Sequence, residues 1–263
     1  IIHLAAQVAV TTSIANPRED FEINAWGSLN LLEAARLYSK ESAIIYASTN
    51  KVYGGMEDLQ IGEVGGRYAY LDHPEGIAET RPLDFHSPYG CSKGAADQYC
   101  RDYHRIYGLR TVVMRQSCIY GYHQFGIEDQ GWVAWFCIAA VLNKPIAIYG
   151  DGKQVRDVLF IDDLVSLYDR AYQNIDVVAG KIFNIGGGPR HTLSLHELLS
   201  QLELLKGGEI PVRYDNWRPG DQKVYISNID EAERILHWKP IITAKEGVER
   251  LYAWISQNKL FFK

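Results

Sequence analysis

The sequence predicts an α/β fold in which a doubly wound parallel sheet is followed by a smaller mixed α/β lobe. Two short apolar runs, at 43–47 and 111–115, are typical of parallel strands that are buried on both faces. The segment between them contains a long helical pattern that opens with Ser87-Pro88 and stops at Gly108. Strands that alternate with helices of this length favour a parallel sheet with right-handed crossovers.

The other elements follow from local start and stop signals. Asn16-Pro17 predicts a helix start with the asparagine as its cap, and a Gly-rich stretch at 54–85 predicts a loop or a small hairpin. After Gly121 the pattern changes to the shorter elements of the second lobe. We predict helices at 132–142, 162–172, 195–205, 230–236 and 245–257, and strands at 146–149, 155–161 and 181–185.

Composition excludes several classes of protein. The chain has 263 residues, a net charge of −5, 47% hydrophobic and 22% charged residues, which is typical of a soluble globular protein. Without a basic excess, nucleic acid is not an expected partner, and the longest apolar run, at 132–142, is too short to cross a bilayer. The four cysteines form no C-x-x-C pair and the eight histidines no H-x-x-x-H pair, so no metal is expected. Free thiols indicate a reducing, cytoplasmic location.

One group of residues points to chemistry. Tyr89 and Lys93 are four residues apart on the predicted helix, so their side chains share one face. An ammonium beside a phenol is expected to lower the pKa of the phenol. Ser48-Thr49 ends the strand at 43–47, at the sheet edge where open α/β proteins bind ligands. Hydroxyl, phenol and ammonium together suit hydride transfer at an alcohol, although the Tyr-x-x-x-Lys spacing alone is more often a solvated helix face.

These motifs carry a family resemblance. His3-Leu4-Ala5-Ala6, Ser48-Thr49 and Tyr89-Gly90-Cys91-Ser92-Lys93, in that order, resemble the extended short-chain dehydrogenase/reductase family of nucleotide-sugar enzymes. Residues 150–157 and 218–221 are similar to the segments that hold the nucleotide diphosphate in that family. The resemblance implies a Rossmann-type domain, NAD as cofactor, a nucleotide-sugar substrate and assembly into homodimers or homotetramers.

The resemblance also implies roles for particular residues. Tyr89 would take the proton of the substrate hydroxyl, Thr49 would hold the substrate oxygen, and Lys93 would bind the nicotinamide ribose, which makes these three the expected catalytic residues. The expected NAD-binding residues are Leu4, Ala5, Ala6, Gln7, Asn24, Ser48, Tyr89, Lys93, Gln116 and Cys118. The expected substrate-binding residues are Thr49, Cys118, Gln124, Arg156, Arg218 and Asp221.

Within the family, several segments are most similar to the isomerases that epimerise a CDP-sugar at C2 by oxidation and re-reduction. Tyr122-His123 departs from that branch, which has Pro-Arg there. A nucleotide-sugar 4-epimerase, a 4,6-dehydratase and a non-catalytic nucleotide-sugar-binding fragment are the alternatives. The dehydratase is disfavoured because Asn50 and Lys51 occupy the positions of that enzyme's Asp-Glu pair. The segments that resemble the C2 branch are 84–93, 115–121, 124–126 and 128–132.

The resemblance further implies a domain division. We expect 1–120 to be the remainder of the NAD-binding domain and 121–263 to be mainly the substrate lobe, with about 155–186 returning to the first domain. Apolar residues from Ile1 onward predict a start inside a buried strand of a sheet that lacks its first strands. The sequence contains no G-x-G-x-x-G run, so the turn that would hold the NAD pyrophosphate is expected before Ile1. The 263-residue chain by itself is therefore expected to bind NAD weakly and to be inactive.

A subunit interface is also expected. Relatives pair through the helix that carries the Tyr-Lys motif and the helix before it. The candidates for an apolar interface on these helices are Leu29, Leu32, Ala96, Tyr99 and Tyr103.

Overall fold

A computed structural model describes residues 1–218 and 221–262 of the chain. Its strands are β1 Ile2–His3, β2 Ala43–Thr49, β3 Ile61–Val64, β4 Arg67–Tyr70, β5 Arg110–Gln116, β6 Cys118–Tyr120, β7 Ile146–Tyr149, β8 Val155–Phe160, β9 Ile182–Ile185, β10 Thr192–Ser194, β11 Val212–Asp215 and β12 Val224–Tyr225. Its α-helices are α1 Val10–Ala15, α2 Pro17–Phe21, α3 Gly27–Tyr38, α4 Ser87–Tyr107, α5 Trp132–Leu142, α6 Ile161–Gln173, α7 Ile175–Val178, α8 Leu195–Lys206, α9 Asp230–Leu236 and α10 Ala244–Gln257. A π-helical turn, Glu22–Trp26, joins α2 to α3, and 3₁₀ turns lie at Asn50–Tyr53 and Lys259–Phe262.

The first sheet is parallel and has helices on both faces, which confirms the predicted fold class. Its strand order is β1-β2-β5-β9. Side chains alternate between the faces, as they do along any strand. Tyr46 packs with α3 and α4 on one face, whereas Ile45 packs with α6 on the other. The carboxyl ends of all four strands therefore lie at one edge of the sheet.

The second lobe is built around a smaller mixed sheet. Strand β8 pairs in parallel with β6 and β12 and antiparallel with β10. Helices α5, α8 and α10 cover this sheet with an apolar core that includes Phe136, Leu198 and Val248. The predicted loop or hairpin at 54–85 contains the hairpin β3–β4. No helix in the described ranges is both long and apolar enough to traverse a lipid bilayer.

The expected return of the chain to the first domain at about residue 155 is wrong by one strand. Strand β8 belongs to the second sheet, because it pairs with β6 and not with a strand of the first sheet. The return begins instead with α6, whose Leu164 and Leu167 pack on the first sheet. It is completed by β9, which pairs with β5.

The first strand, β1, lies at the edge of the parallel sheet. Ile1 and Ile2 are 50% and 52% exposed, although β1 pairs with β2. They border a groove of about 590 Å³ between the sheet and α6, which is lined further by Ile45, Leu164 and Tyr168. The sequence pattern also failed to predict α1.

Three of the five residues expected at a subunit interface lie in the chain's own core. Leu32, Ala96 and Tyr103 are 1%, 0% and 7% exposed, because they fill the space between α3, α4 and the sheet. Tyr99 is 46% exposed and Leu29 packs at the edge of the same cluster. The apolar side chains of these three residues thus pack inside the chain and are not exposed for contact with a second subunit.

A buried ion pair connects α4 to the sheet. The carboxylate of Asp97 accepts hydrogen bonds from Arg115 Nε at 2.9 Å and Nη2 at 3.0 Å, and both residues are almost fully buried. The same carboxylate accepts from Ser48 Oγ at 2.7 Å. Arg115 Nη1 donates to the Tyr53 hydroxyl at 3.0 Å. The pair therefore fixes α4 against β2, β5 and the turn that follows β2.

Replacing Arg115 by methionine should destabilise the protein strongly, because it leaves the Asp97 carboxylate buried without its counterion. We expect the free energy of unfolding to fall by about 3–5 kcal/mol, measured by urea denaturation. Arg234→Met, which removes an exposed ion pair with Glu231, should leave the unfolding curve unchanged. Equal curves for the two variants would show that the buried pair is dispensable.

Candidate active site at the carboxyl edge of the parallel sheet

Thr49, Tyr89 and Lys93 lie together at the carboxyl end of β2. Thr49 is the last residue of the strand and is 6% exposed, and its hydroxyl is close enough to the Tyr89 phenol to lower the pKa of that phenol. Lys93 follows Tyr89 by one turn of α4, and its Nζ donates to the carbonyl of Ala47 at 2.5 Å. The ammonium also lies 4.4 Å from the centroid of the Tyr46 ring. The structure thus brings a hydroxyl, a phenol and an ammonium to one sheet edge.

The first turn of α4, which carries Tyr89, is held by neighbouring segments. The backbone N–H of Tyr89 donates to Ser13 Oγ at 3.2 Å, and the N–H of Gly90 donates to Ser87 Oγ at 3.2 Å. Both bonds satisfy donors that a helix N-terminus leaves unpaired. A Cβ on Gly90 would lie 3.3 Å from the Lys51 carbonyl oxygen, so glycine permits α4 to approach the turn after Thr49.

The expectation that Lys93 lowers the pKa of Tyr89 is wrong for this arrangement. Burial raises the pKa of Tyr89, a hydrogen bond with Thr49 lowers it, and the charge of Asp20 raises it. The Lys93 ammonium is turned to the Ala47 carbonyl and the Tyr46 ring instead of to the phenol. Burial also lowers the pKa of Lys93 to about 8. The phenol is therefore protonated at neutral pH in this arrangement.

The segment that follows β1 is fixed by a buried polar cluster. Asn24 Oδ1 accepts from the Gln7 N–H at 2.9 Å, and Asn24 Nδ2 donates to the Gln7 carbonyl at 3.0 Å. The Gln7 side chain donates to Asp20 Oδ1 at 2.8 Å. Ser92, one residue before Lys93, donates to the other oxygen of Asp20. One buried carboxylate thus connects the segment after β1 to the helix of Tyr89 and Lys93.

Two residues expected to bind NAD have other partners in the structure. Asn24 is 1% exposed and is fully engaged with Gln7, Asp20 and Ser92, so it positions the Gln7 segment. Ser48 is 4% exposed and donates to Asp97 on the face of the sheet that α4 covers. Alternation along the strand puts neighbouring residues on opposite faces, but the partner of Ser48 on α4 could not be predicted from the sequence.

The other expected NAD-binding residues lie around the same edge. Leu4 and Ala5 are exposed just beyond β1, and Ala6 is half-buried between them and Gln7. Gln116 ends β5 and donates to the Tyr168 hydroxyl beside the groove of α6. Cys118 begins β6, where it accepts from Trp132 Nε1 at 3.4 Å and burial raises the pKa of its thiol.

Arg156 and Asp221, two of the residues expected to bind the substrate, form an ion pair. Arg156 Nη2 lies 3.1 Å from Asp221 Oδ1. The charge of Arg156 acts on Cys118 and on Lys51, which places all three in one part of the site. Gln124 Nε2 donates to the Ile119 carbonyl at 3.3 Å, and its buried Oε1 has no partner among the described residues. That oxygen is free to accept from a ligand hydroxyl.

Arg218 has a different set of neighbours. Its guanidinium pairs with Asp129 at 2.7 Å, donates to the Glu128 carbonyl and lies 3.8 Å from the centroid of the Tyr149 ring. The rest of the expected Arg218–Asp221 motif, Pro219-Gly220, lies outside the described residues. The two arginines thus pair with separate carboxylates.

The departure at Tyr122-His123 has a structural role. The Tyr122 ring packs edge-on against Phe160 at 5.2 Å, and the His123 ring packs against Trp254 at 4.9 Å. The two side chains therefore belong to an aromatic cluster with α10. This chain therefore has two aromatic rings in contact with Phe160 and Trp254 at the positions where the C2 branch has Pro-Arg.

Comparisons with known proteins give the family. The model of the NAD dependent epimerase/dehydratase family matches residues 1–186. The chain belongs to this family. It is 52% identical to CDP-paratose 2-epimerase of Salmonella typhi, across 97% of this chain and 77% of that protein. It is 31% identical to UDP-glucuronate 4-epimerase of Thermodesulfobacterium geofontis, across 98% of this chain and 72% of that protein.

The fold comparison agrees. The structure of UDP-glucose 4-epimerase with UDP-glucose from Thermotoga maritima superposes with a TM-score of 0.84 at 29% identity, across 98% of this chain and 77% of that one. The resemblance to a family of NAD-dependent nucleotide-sugar enzymes is thereby confirmed. An enzyme of the epimerase type, with NAD as its cofactor, is confirmed at the level of this family.

Sequence reasoning missed several residues that shape the site. Asp20 and Ser13 sit in helical segments as unremarkable polar residues, and their burial comes from contacts with residues about 70 positions away. The sequence marks Lys51 only as the residue in the place of a dehydratase carboxylate. Its position two residues after Thr49 was the one available signal.

Replacing Asp20 by alanine should loosen the segment after β1, because Gln7, Asn24 and Ser92 lose their common acceptor. We expect backbone amides of residues 7–9 to exchange hydrogen about tenfold faster, since one lost buried hydrogen bond amounts to about 1–1.5 kcal/mol. Hydrogen–deuterium exchange with mass spectrometry measures this. Asp102→Ala, at an exposed site on α4, is the matched control. Equal exchange in both variants would remove Asp20 from this role.

Proposed function

We propose that the protein epimerises a nucleotide sugar with NAD, and that its reaction is the conversion of CDP-paratose to CDP-tyvelose at C2. The observation that carries this proposal is the identity to CDP-paratose 2-epimerase, which is much higher than that to the 4-epimerase. The grouping of Thr49, Tyr89 and Lys93 at the sheet edge supports it, because it supplies the polar groups that oxidation of an alcohol requires.

The chemistry of the sugar favours oxidation at the epimerised carbon. The C–H bond of an unactivated secondary alcohol is not acidic, so its hydrogen must leave as hydride. Oxidation at C4 would acidify only the hydrogens at C3 and C5, and it would not help inversion at C2. Bound NAD supplies the acceptor and then the donor of the hydride. Re-reduction from the other face of the 2-keto sugar inverts C2.

Residues of this chain would transfer the proton of the C2 hydroxyl and position its oxygen. Tyr89 accepts the proton of the C2 hydroxyl and later returns it, and Thr49 holds the same oxygen by a hydrogen bond. Because burial raises the pKa of Tyr89, the phenol needs an added positive charge nearby before it can act as a base. A turn of the Lys93 ammonium from the Ala47 carbonyl to the phenol side would provide this charge.

The residues at the sheet edge fit a bound dinucleotide. Lys93 uses one ammonium hydrogen on Ala47, so two donors remain for ribose hydroxyls. The Gln7 segment is held rigidly at the end of β1, and the exposed side chain of Leu4 provides an apolar surface beside it. These residues would hold the nicotinamide half of NAD next to Tyr89.

The alternative functions make different demands. A 4,6-dehydratase needs acid and base groups after the catalytic Thr49, whereas Asn50 and Lys51 provide no carboxylate there. A 4-epimerase would use the same trio and differs only in which carbon is presented. A non-catalytic fragment would bind the sugar nucleotide without NAD, so separate titrations of the two ligands distinguish it.

A panel of CDP- and UDP-sugars tests the proposal. The protein is incubated with NAD and each sugar, and products are identified by NMR and mass spectrometry. We expect CDP-paratose to be converted to CDP-tyvelose. A deuterium at C2 of the substrate should be retained in the product, because the hydride returns to the carbon that it left. Inversion at C4 of a UDP-sugar, with CDP-paratose unchanged, would refute the proposed reaction.

Tyr89→Phe should abolish turnover while leaving the binding of the sugar nucleotide intact. Loss of a positioned acid–base group costs about 10²–10⁴-fold in rate, whereas the phenyl ring preserves the shape of the site. Initial rates and calorimetric titration with the CDP-sugar measure the two effects. Tyr38→Phe, at a residue that is 86% exposed, is the control. Retained turnover would remove Tyr89 as the base.

Assembly into homodimers or homotetramers is part of the proposal. Exposed aromatic side chains on the α2–α3 segment and on α4 support it: Phe21, Trp26 and Tyr99 are 54%, 53% and 46% exposed. Such surface favours contact with a second copy. We expect Trp26→Asp to shift sedimentation velocity towards monomer, and Leu204→Asp, at an exposed residue of α8, to leave it unchanged. A wild-type protein that sediments only as monomer would contradict this assembly.

A further inference from the structure

Lys51 lies in the turn between the catalytic edge and the second lobe. Its backbone N–H donates to Thr49 Oγ1 at 3.3 Å, and its carbonyl accepts from the Gly54 N–H at 3.3 Å. Gln222 Nε2 donates to the Gly54 carbonyl at 2.6 Å and so connects this turn to the segment of Asp221. The turn therefore stands between Thr49 and the Arg156–Asp221 pair.

The charges around Lys51 leave a net positive site. The side chain is half-buried, and its ammonium makes no hydrogen bond or ion pair within residues 1–218 and 221–262. The ionisable groups whose charges shift the pKa of Lys51 are Arg156, Asp221 and Cys118. Asp221 already pairs with Arg156, and burial holds the Cys118 thiol in its neutral form by raising its pKa. The one carboxylate in this group is thus already paired with Arg156, and Lys51 has no counterion of its own among the described residues.

The pKa of Lys51 shows that its charged form is disfavoured in this arrangement. Burial is the largest effect on the pKa of Lys51, which falls to about 8, and Arg156 acts in the same direction. Asp221 and Cys118 oppose the shift without cancelling it. An anion placed between the two cations would be stabilised by both and would restore the charged form of the lysine.

We propose that Lys51 binds the sugar-proximal phosphate of the nucleotide diphosphate, together with Arg156, and so presents C2 of the sugar to Thr49 and Tyr89. The placement follows from the structure of the substrate. C1 carries the diphosphate and is bonded directly to C2, whereas it lies across the ring from C4. When C2 reacts, the phosphate must come close to Thr49, and Lys51 is two residues away.

This assignment rests on the proposed function for its choice of carbon, but the phosphate contact can be tested without turnover. CDP and CMP are titrated calorimetrically into the wild type, Lys51→Met and Lys51→Arg. The matched control is Lys239→Met, at an exposed lysine remote from the turn in sequence. We expect Lys51→Met to weaken CDP binding about 10- to 100-fold, as expected for one charge-assisted hydrogen bond of about 1.5–3 kcal/mol. CMP, which lacks the second phosphate, should bind the wild type and Lys51→Met equally.

Two further readouts separate a contact from a structural role. Lys51→Arg should recover most of the CDP affinity, because it keeps the cation. In the wild type, CDP affinity should fall as the pH rises through about 8, where free Lys51 loses its proton, and this dependence should be absent in Lys51→Met. An equal loss of CDP and CMP affinity, or none, would overturn the assignment, as would a wild type that binds no CDP.

The outcomes also distinguish this assignment from the proposed function. Phosphate-dependent binding through Lys51 without any inversion at C2 would refute the reaction and leave the contact standing. Inversion at C2 with CDP affinity unchanged in Lys51→Met would refute the contact and leave the reaction standing.

Discussion

The ion pair between Asp97 and Arg115 is the interaction on which the arrangement of the site depends. Asp97 lies one turn beyond Lys93 on α4, and its carboxylate also accepts from Ser48, the residue before Thr49. Arg115 reaches Tyr53 in the turn that contains Lys51. Since neither charge can be buried without the other, the pair sets the height of α4 relative to β2 and hence the position of Tyr89 beside Thr49.

A second buried carboxylate sets the electrostatics of the same site. Asp20 accepts hydrogen bonds from Gln7, Asn24 and Ser92 and has no cation paired with it among the described residues. Its charge favours the protonated forms of both Tyr89 and Lys93. The carboxylate holds the segment after β1 in place, and its charge adds to the larger effect of burial, which raises the pKa of the Tyr89 phenol.

The two lobes meet where the chain passes from β5 to β6. Strand β6 follows β5 after a single residue and enters the second sheet, so Cys118 lies at the junction of the two lobes. The positive charge of Arg156, in the second lobe, lowers the pKa of Lys51, in the turn after Thr49, although less than burial does. Hydroxyl groups thus lie on the side of the first lobe and a guanidinium on the side of the second.

Local sequence signals determined most of the secondary structure. Helix α4 begins at Ser87 and ends before Gly108 as predicted, and α5 and α9 have the predicted bounds, because caps, proline, glycine and apolar periodicity act over a few residues. The Tyr89–Lys93 spacing and the strand end at Thr49 also predicted the sheet edge at which these three residues meet. The family followed from those motifs.

Only the tertiary structure decided what each polar side chain does. It turned Ser48 to Asp97, engaged Asn24 with the Gln7 backbone, and directed the Lys93 ammonium to Ala47 instead of Tyr89. It buried Leu32, Ala96 and Tyr103 inside the chain and placed Lys51 beside Arg156. These outcomes depend on partners far away in the sequence, and hydrogen bonding and charge in a buried site depend on distances that no local pattern encodes.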